Sequence, residues 1–447
     1  MQTSGVTKGS SFASVAPKLG HQPAFDGIRG IGVILVLIGH ASVATFSSFA
    51  AIVDVFFVVS GFLITTLLLE EDRRHGSVSM RNFYKRRAMR LLPMLYIVLG
   101  VTLLGVFIIM KIYGPGAKAG LPDTQTMGQL WSNTKADVAA GGLYMYHVFF
   151  PVNTEVVTGV TEVRPLNPLW SLSVEEHYYV FGVLLTVWAV KKHFVRQLMV
   201  AFFAAWVFIG VARALGHVGP QLAWYQRPDA ILIGVVLAFV NAHLPDISPR
   251  WRTYLHRAGW AAGVVFVFTI FLGTKFAKPF GLYVPYGPKS GGSLSDGLYW
   301  GRFGFTICSA AMSVLVLAIV RIPDFRIARF LTWGPATKVG HRSYSLYLIH
   351  VPLLTLLVNL FVHNVAIALI LMLPLLVITS ELAHRYVEKP MMRAKSKSAP
   401  EPVVDLTTTP AGATDGDGTG AVPVESAAAA AAEVVEAPAG GEGAAPS

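Results

Sequence analysis

The stretch Arg29-Gly30-Ile31-Gly32-Val33-Ile34-Leu35-Val36-Leu37-Ile38-Gly39-His40 sets a guanidinium and an imidazole at the two ends of an otherwise apolar run. Within a helix over Gly27–Phe46, the eleven steps between them turn through about 1100°, about 20° past three full turns, so both side chains share one face. The same steps rise about 16 Å, which puts one group near a membrane surface and the other near mid-depth. Such polar groups are costly in lipid. They mark either a buried site with a charged approach or a histidine that serves only as hydrogen-bonding glue between helices.

Apolar runs of similar length recur along the 447-residue chain; 53% of the residues are hydrophobic, 14% are charged and the mean hydropathy is +0.55. The expected fold class is therefore all-α, a polytopic membrane bundle of about ten transmembrane helices with both termini cytoplasmic, in the cell membrane. The net charge is +11, but residues 396–447 hold one Lys and eight acidic residues, leaving 35 basic against 17 acidic in the body. Those basic residues fall between the apolar runs, where they report topology, and no nucleic-acid partner is expected. The single cysteine, Cys308, lies in an apolar run, which excludes an intramolecular disulfide or a cysteine cluster and reads as packing. No metal site with credible ligand spacing is present.

Residues 1–25 read as a flexible cytoplasmic leader, 26–392 as a membrane domain and 393–447, rich in Ala, Pro and Gly and acidic, as a disordered tail. A rival reading makes Gly30–Gly39 the core of a signal peptide cleaved after Ala44; the length of the leader speaks against it. A hairpin turn near Ser47 leads to a second run, Ala50–Leu69. Glu70–Arg90, carrying Arg73, Arg74, Arg81, Lys85, Arg86, Arg87 and Arg90, is expected as a cytoplasmic loop. Further runs follow at 91–112, 178–190, 198–215, 229–243, 259–274, 298–320, 343–361 and 365–384. Positive-inside parity then requires the half-apolar patch Val138–Phe150 to be re-entrant or interfacial.

Four constellations carry candidate chemistry. A desolvated His40 can take a proton from a hydroxyl, and Asp54, seven residues beyond the turn as His40 is seven before it, stands at matching depth to orient it. Arg87 and Arg90, three apart on one helix face, suit phosphate, with topology signalling and anionic lipid as the alternative. Asn167-Pro168-Leu169-Trp170-Ser171-Leu172-Ser173-Val174-Glu175-Glu176-His177-Tyr178-Tyr179 gathers acids, hydroxyls and aromatics at the expected outer mouth of a span, where an aromatic belt with solvated acids is the plainer reading. Tyr347 and His350 share a face within Ser343–Pro352, as a site or as polar glue.

Together these stretches resemble the type-3 membrane acyltransferase family over about residues 23–392. The resemblance rests on Arg29 with His40, Asp54-Val55-Phe56-Phe57-Val58-Val59-Ser60-Gly61, Arg87 with Arg90, Trp170 to Glu175, and Ser343 to His350, all in order. Departures are Phe25-Asp26-Gly27-Ile28, where Leu-Asp-Gly-Leu is usual, and His177, where Gln is usual, which puts the role of Glu176 in doubt. The resemblance implies an O-acyltransferase using acyl-CoA as co-substrate, with acetyl as the default acyl group and a sugar, envelope glycan, glycolipid or glycosylated metabolite as acceptor. It implies His40, Asp54 and Glu175 as catalytic residues and Arg29, Arg87 and Arg90 as binders of the coenzyme A phosphates. It further implies Trp170, Ser173, Glu176, Tyr347 and His350 as acceptor contacts. Many relatives carry an additional hydrolase-like domain, and here the bundle is expected to act without one. A transporter or flippase of envelope precursors and a silent scaffold on the same fold remain the alternatives.

Overall fold

The computed structural model describes residues 16, 18–119, 125–150, 164–218, 228–245, 247–288, 297–360 and 365–391. Most of the expected leader and all of the expected tail lie outside the described residues. The helices are α1 (Pro23–Ala41), α2 (Ile52–His75), α3 (Met80–Tyr113), α4 (Met127–Gly142), α5 (Leu169–His177) and α6 (Val183–Lys191). They continue with α7 (Val195–Ala214), α8 (Asp229–His243), α9 (Pro249–Leu272), α10 (Gly304–Arg321), α11 (Arg326–Leu331), α12 (Gly334–His341), α13 (Ser343–Leu360) and α14 (Val365–Ala383). Among the described residues, eight helices are long and apolar enough to cross a membrane. The remaining two expected spans are α8, with 15 residues, and the composite of α5 and α6 joined by a π turn at Tyr178–Gly182.

Local chemistry moves several boundaries. α1 begins at Pro23, not Gly27, because proline suits the first helical turn, where its missing N–H costs nothing, and Asp26 complements the helix dipole. The charged segment Glu70–Arg90 is not a loop. α2 runs on to His75, Gly76 caps it at φ +66°, and Ser79 caps the start of α3 by accepting from the Asn82 N–H at 3.4 Å. Its charges sit on helix surfaces in pairs such as Glu71 with Arg86 at 3.3 Å, so charge density marks the segment without giving its conformation. The patch Val138–Phe150 divides between α4 and a single turn, Tyr146–Phe149, and neither is a candidate span. α4 lies along the second half of α3: its start packs with Val106 and Ile109, its end with Leu99 and Tyr96.

α2 is the central helix, buried over most of its length, whereas α7 and α9 face mainly outward. Its tightest neighbour is α8, and small residues make the approach possible: a Cβ on Gly61 would overlap the Ile231 carbonyl oxygen, and one on Gly234 the Val58 carbonyl oxygen. α1 meets the short helices α11 and α12 in the same manner, Gly27 against Leu331 and Gly30 against Ala336. Buried charges are paired, as in Arg213 with Asp229 at 3.2 Å, as the low dielectric requires. Only one small antiparallel pair, Lys118–Ala119 with Gln125–Thr126, is extended among the described residues.

Candidate functional site

α1, α3 and α5 bring Arg29, Arg87, Arg90 and Glu175 to one cavity of about 350 Å³, which Ser60, Ser171, Tyr179, Tyr344 and Tyr347 also line. Within it the expected arginine pair divides. The Arg87 Nε donates to Glu176 Oε1 at 2.8 Å, a second guanidinium nitrogen lies 3.7 Å from Glu175 Oε1, and the guanidinium carbon sits 3.1 Å from the centre of the Tyr179 ring. Glu175 Oε1 also accepts from the Ser60 and Tyr179 hydroxyls. The Tyr84 hydroxyl donates to the Tyr179 carbonyl at 3.0 Å and ties α3 to the π turn. Arg87 is therefore held by the protein. Arg90 is exposed and forms no ion pair with a described carboxylate, and the only acid near Arg29 is Asp26 at 3.8 Å, so these two cations are the ones offered to the cavity.

The imidazoles form a second cluster. His40 stands in the last turn of α1, its Nδ1 2.9 Å from the Val36 carbonyl, and its ring meets that of His350 edge-on with centres 4.9 Å apart. His350 Nδ1 lies 2.6 Å from the Tyr347 carbonyl. A carbonyl only accepts, so both Nδ1 atoms carry the proton and both Nε2 atoms keep a lone pair. Tyr347 connects the clusters. Its ring lies 5.5 Å from that of His350, and its hydroxyl, 2.7 Å from Ser171 Oγ, belongs to the arginine cavity.

The structure places other expected site residues elsewhere. His40 stands one residue before the end of α1 with part of its surface open, and His350 is the fully buried imidazole of the pair. Asp54 is fully buried in the first turn of α2, where the helix dipole favours a carboxylate, yet it is not level with His40. Gly32 packs on Phe56 and Ile52, which sets Asp54 beside the middle of α1, about two turns from its end. The tight turn assumed near Ser47 is instead two short helical segments, Val43–Phe46 and Ser47–Ala51, and this lengthened connection shifts the register. Glu175 and Glu176 were expected at the outer mouth with His40; both meet Arg87 instead. Trp170 is buried edge-on against Phe57, and the fully buried Ser173 bonds its own helix at the Leu169 carbonyl, 2.8 Å away. Ser60, Ser171 and Tyr179 were not singled out, although Ser171, Glu175 and Tyr179 stand four apart on one helix face, a spacing that identifies them.

Beside α5, α4 and the turn after it supply further polar groups. Asp137 is buried and bonds Arg164 at 2.6 Å; burial outweighs that partner and pushes its carboxyl up to about 6. His147 packs edge-on against His177 with centres 4.6 Å apart, and burial, with the neighbouring imidazole second, pulls it down to about 4.

The family model described as "Acyltransferase domain" matches residues 22–382. The O-acetyltransferase OatA of Staphylococcus aureus is 26% identical over 384 residues, 84% of this chain and 58% of the relative. The peptidoglycan O-acetyltransferase OatA of Listeria monocytogenes is 26% identical over 388 residues, 83% of this chain and 56% of the relative. The match thus spans somewhat over half the length of these relatives. No solved structure matches the chain. With the family model covering most of the membrane bundle and the motif residues gathered around its cavity, this chain belongs to the type-3 membrane acyltransferase family.

Proposed function

We propose that the chain is a plasma-membrane O-acyltransferase that moves an acyl group, by default acetyl, from acyl-CoA to a hydroxyl of a cell-envelope glycan. One observation carries this reading: a cavity with Arg90, and Arg29 held only loosely by Asp26 at 3.8 Å, at its wall meets, through Tyr347, a pair of imidazoles whose Nδ1 atoms are the ones bonded to backbone carbonyls. By the positive-inside rule the arginines stand at the cytoplasmic end, where acyl-CoA is made. Arg29 and Arg90 hold the coenzyme A phosphates, since guanidinium forks match phosphate oxygens, and Arg87 keeps Glu175 and Glu176 in place. The thioester arm lies along the cavity toward Ser171 and Tyr347.

The acceptor approaches from the opposite side, where His40 is exposed. His40 Nε2 takes the hydroxyl proton as the oxygen attacks the thioester carbonyl. The new C–O bond forms, the C–S bond breaks, and the proton passes from the imidazolium to the departing thiolate. The glycan assignment rests on the acetyltransferase relatives, one of which is named for peptidoglycan. Release of coenzyme A thiol by the purified full chain, with acetyl-CoA and glycan fragments and mass analysis of the glycan, tests the reading. Thiol release that depends on both substrates, with mass gain on the glycan, is expected; transport of glycan without consumption of thioester overturns it.

A further inference from the structure

A second cavity is larger than the one that holds the arginines. A groove of about 710 Å³ runs between α1, α2, α9, α10 and α11, and every side chain on its wall is apolar, among them Ile28, Leu35, Val264, Phe271 and Phe330. α1 is a partition: Ile28, Ile31, Gly32 and Leu35 face this groove, while Arg29 and Val33 face the arginine cavity. At its arginine-rich end, the Phe325 ring packs on His256 and Trp260 with centres 5.6 and 6.2 Å apart, which seats α11 against α9. Arg257 precedes the groove residues Trp260 and Val264 by three and seven positions, so it stands on the groove face of α9. Arg329 borders a shallow depression shared with Phe330, whose ring also lines the groove. Both arginines are exposed, and neither forms an ion pair among the described residues.

We propose that this groove is a binding site for an anionic phospholipid, with an acyl chain along the apolar wall, the phosphate held by Arg257 and Arg329, and the lipid bracing α1 from the face opposite Arg29. The wall favours an acyl chain over an extended peptide, whose backbone N–H and C=O groups would find no partner there. The head is anionic because two unpaired guanidiniums at one end of an apolar slot complement a phosphate with no compensating cation, whereas a zwitterionic head brings its own. Neither argument draws on the acyl-transfer reading, so the site stands or falls separately from it.

The experiment is native mass spectrometry of the full chain in mild detergent, after incubation with equal amounts of phosphatidylglycerol and phosphatidylcholine. One retained phosphatidylglycerol is expected, preferred by about tenfold. Arg257→Gln with Arg329→Gln should lower that preference to about twofold without changing the melting temperature. Val264→Trp, at a largely exposed position of the groove wall, should displace both lipids while leaving the fold intact. Retention of the two lipids in equal proportion, an unchanged preference in the double variant, or a dimer that covers the groove would overturn the proposal.

Discussion

The arginine cluster and the histidine cluster differ in how they are held. Around Arg87, bonds cross between elements: α3 to α5, α2 to α5, α3 to the π turn. Around His40 and His350, each Nδ1 bonds only a carbonyl of its own helix, and the two rings meet through contact alone. The first pattern fixes helices against one another and leaves few groups idle. The second orients rings at little cost and leaves nitrogen lone pairs for a ligand. Recognition of a large charged donor needs the former, proton transfer the latter.

Four substitutions or conditions test that contrast. His40→Ala should lower turnover by about 10²–10⁴ with an unchanged melting temperature, read by thiol release; a folded, fully active variant would sink the role of His40 as base. Arg87→Ala should act on stability first, by about 3 kcal/mol, because it strands two partly buried carboxylates. Denaturant or thermal unfolding in detergent checks it, and an unchanged midpoint would mean the network is not structural. Arg90→Ala should leave the fold intact and raise KM for acyl-CoA by about tenfold, from loss of a charge-assisted phosphate contact, with the acceptor KM unmoved. Equal effects on both substrates would argue that Arg90 serves topology alone.

The smallest effect concerns pH and the turn beside α5. His147 binds its proton only near pH 4 when folded but near the ordinary histidine value of about 6.5 when unfolded. Below that value the unfolded state holds more protons, so this group's stabilisation, complete above about 6.5, is lost as pH falls toward 4. Asp137 acts with the opposite sign: its raised carboxyl makes the folded state the better proton binder between its ordinary range and about 6, so it favours folding as pH falls. His147→Gln should therefore reduce the acid-induced drop in melting temperature between pH 6.5 and 4.5. A steeper drop would contradict the sign.

Much of the bundle is legible in hydropathy, since burial in lipid leaves a run that counting detects. The expected run 229–243 coincides with α8, and Arg29, Arg87 and Arg90 do line one cavity. What escaped was decided between helices. Glu175 and Glu176 meet Arg87, almost ninety positions away, through packing that no local pattern encodes, and Asp54 lost its depth match because nine residues after α1 fold as short helical turns. Trp170 and Ser173 belong to a family-like motif, yet their positions serve the fit of α5 against α2 and its own backbone.

The π turn at Tyr178–Gly182 explains how one composite helix meets two demands. Such a turn is equivalent to one inserted residue, which resets the angular phase of everything after it by about 100°. Upstream, Ser171 and Glu175, and within the turn Tyr179, face the arginine cavity; downstream, Val183 and Val187 are buried while Leu184 and Trp188 look outward. Because the phase is reset between them, mutational drift on the lipid-facing half need not rotate the reactive half. Loss of a single residue there would turn α6 by about 100° against its neighbours, whereas a substitution leaves that phase unchanged.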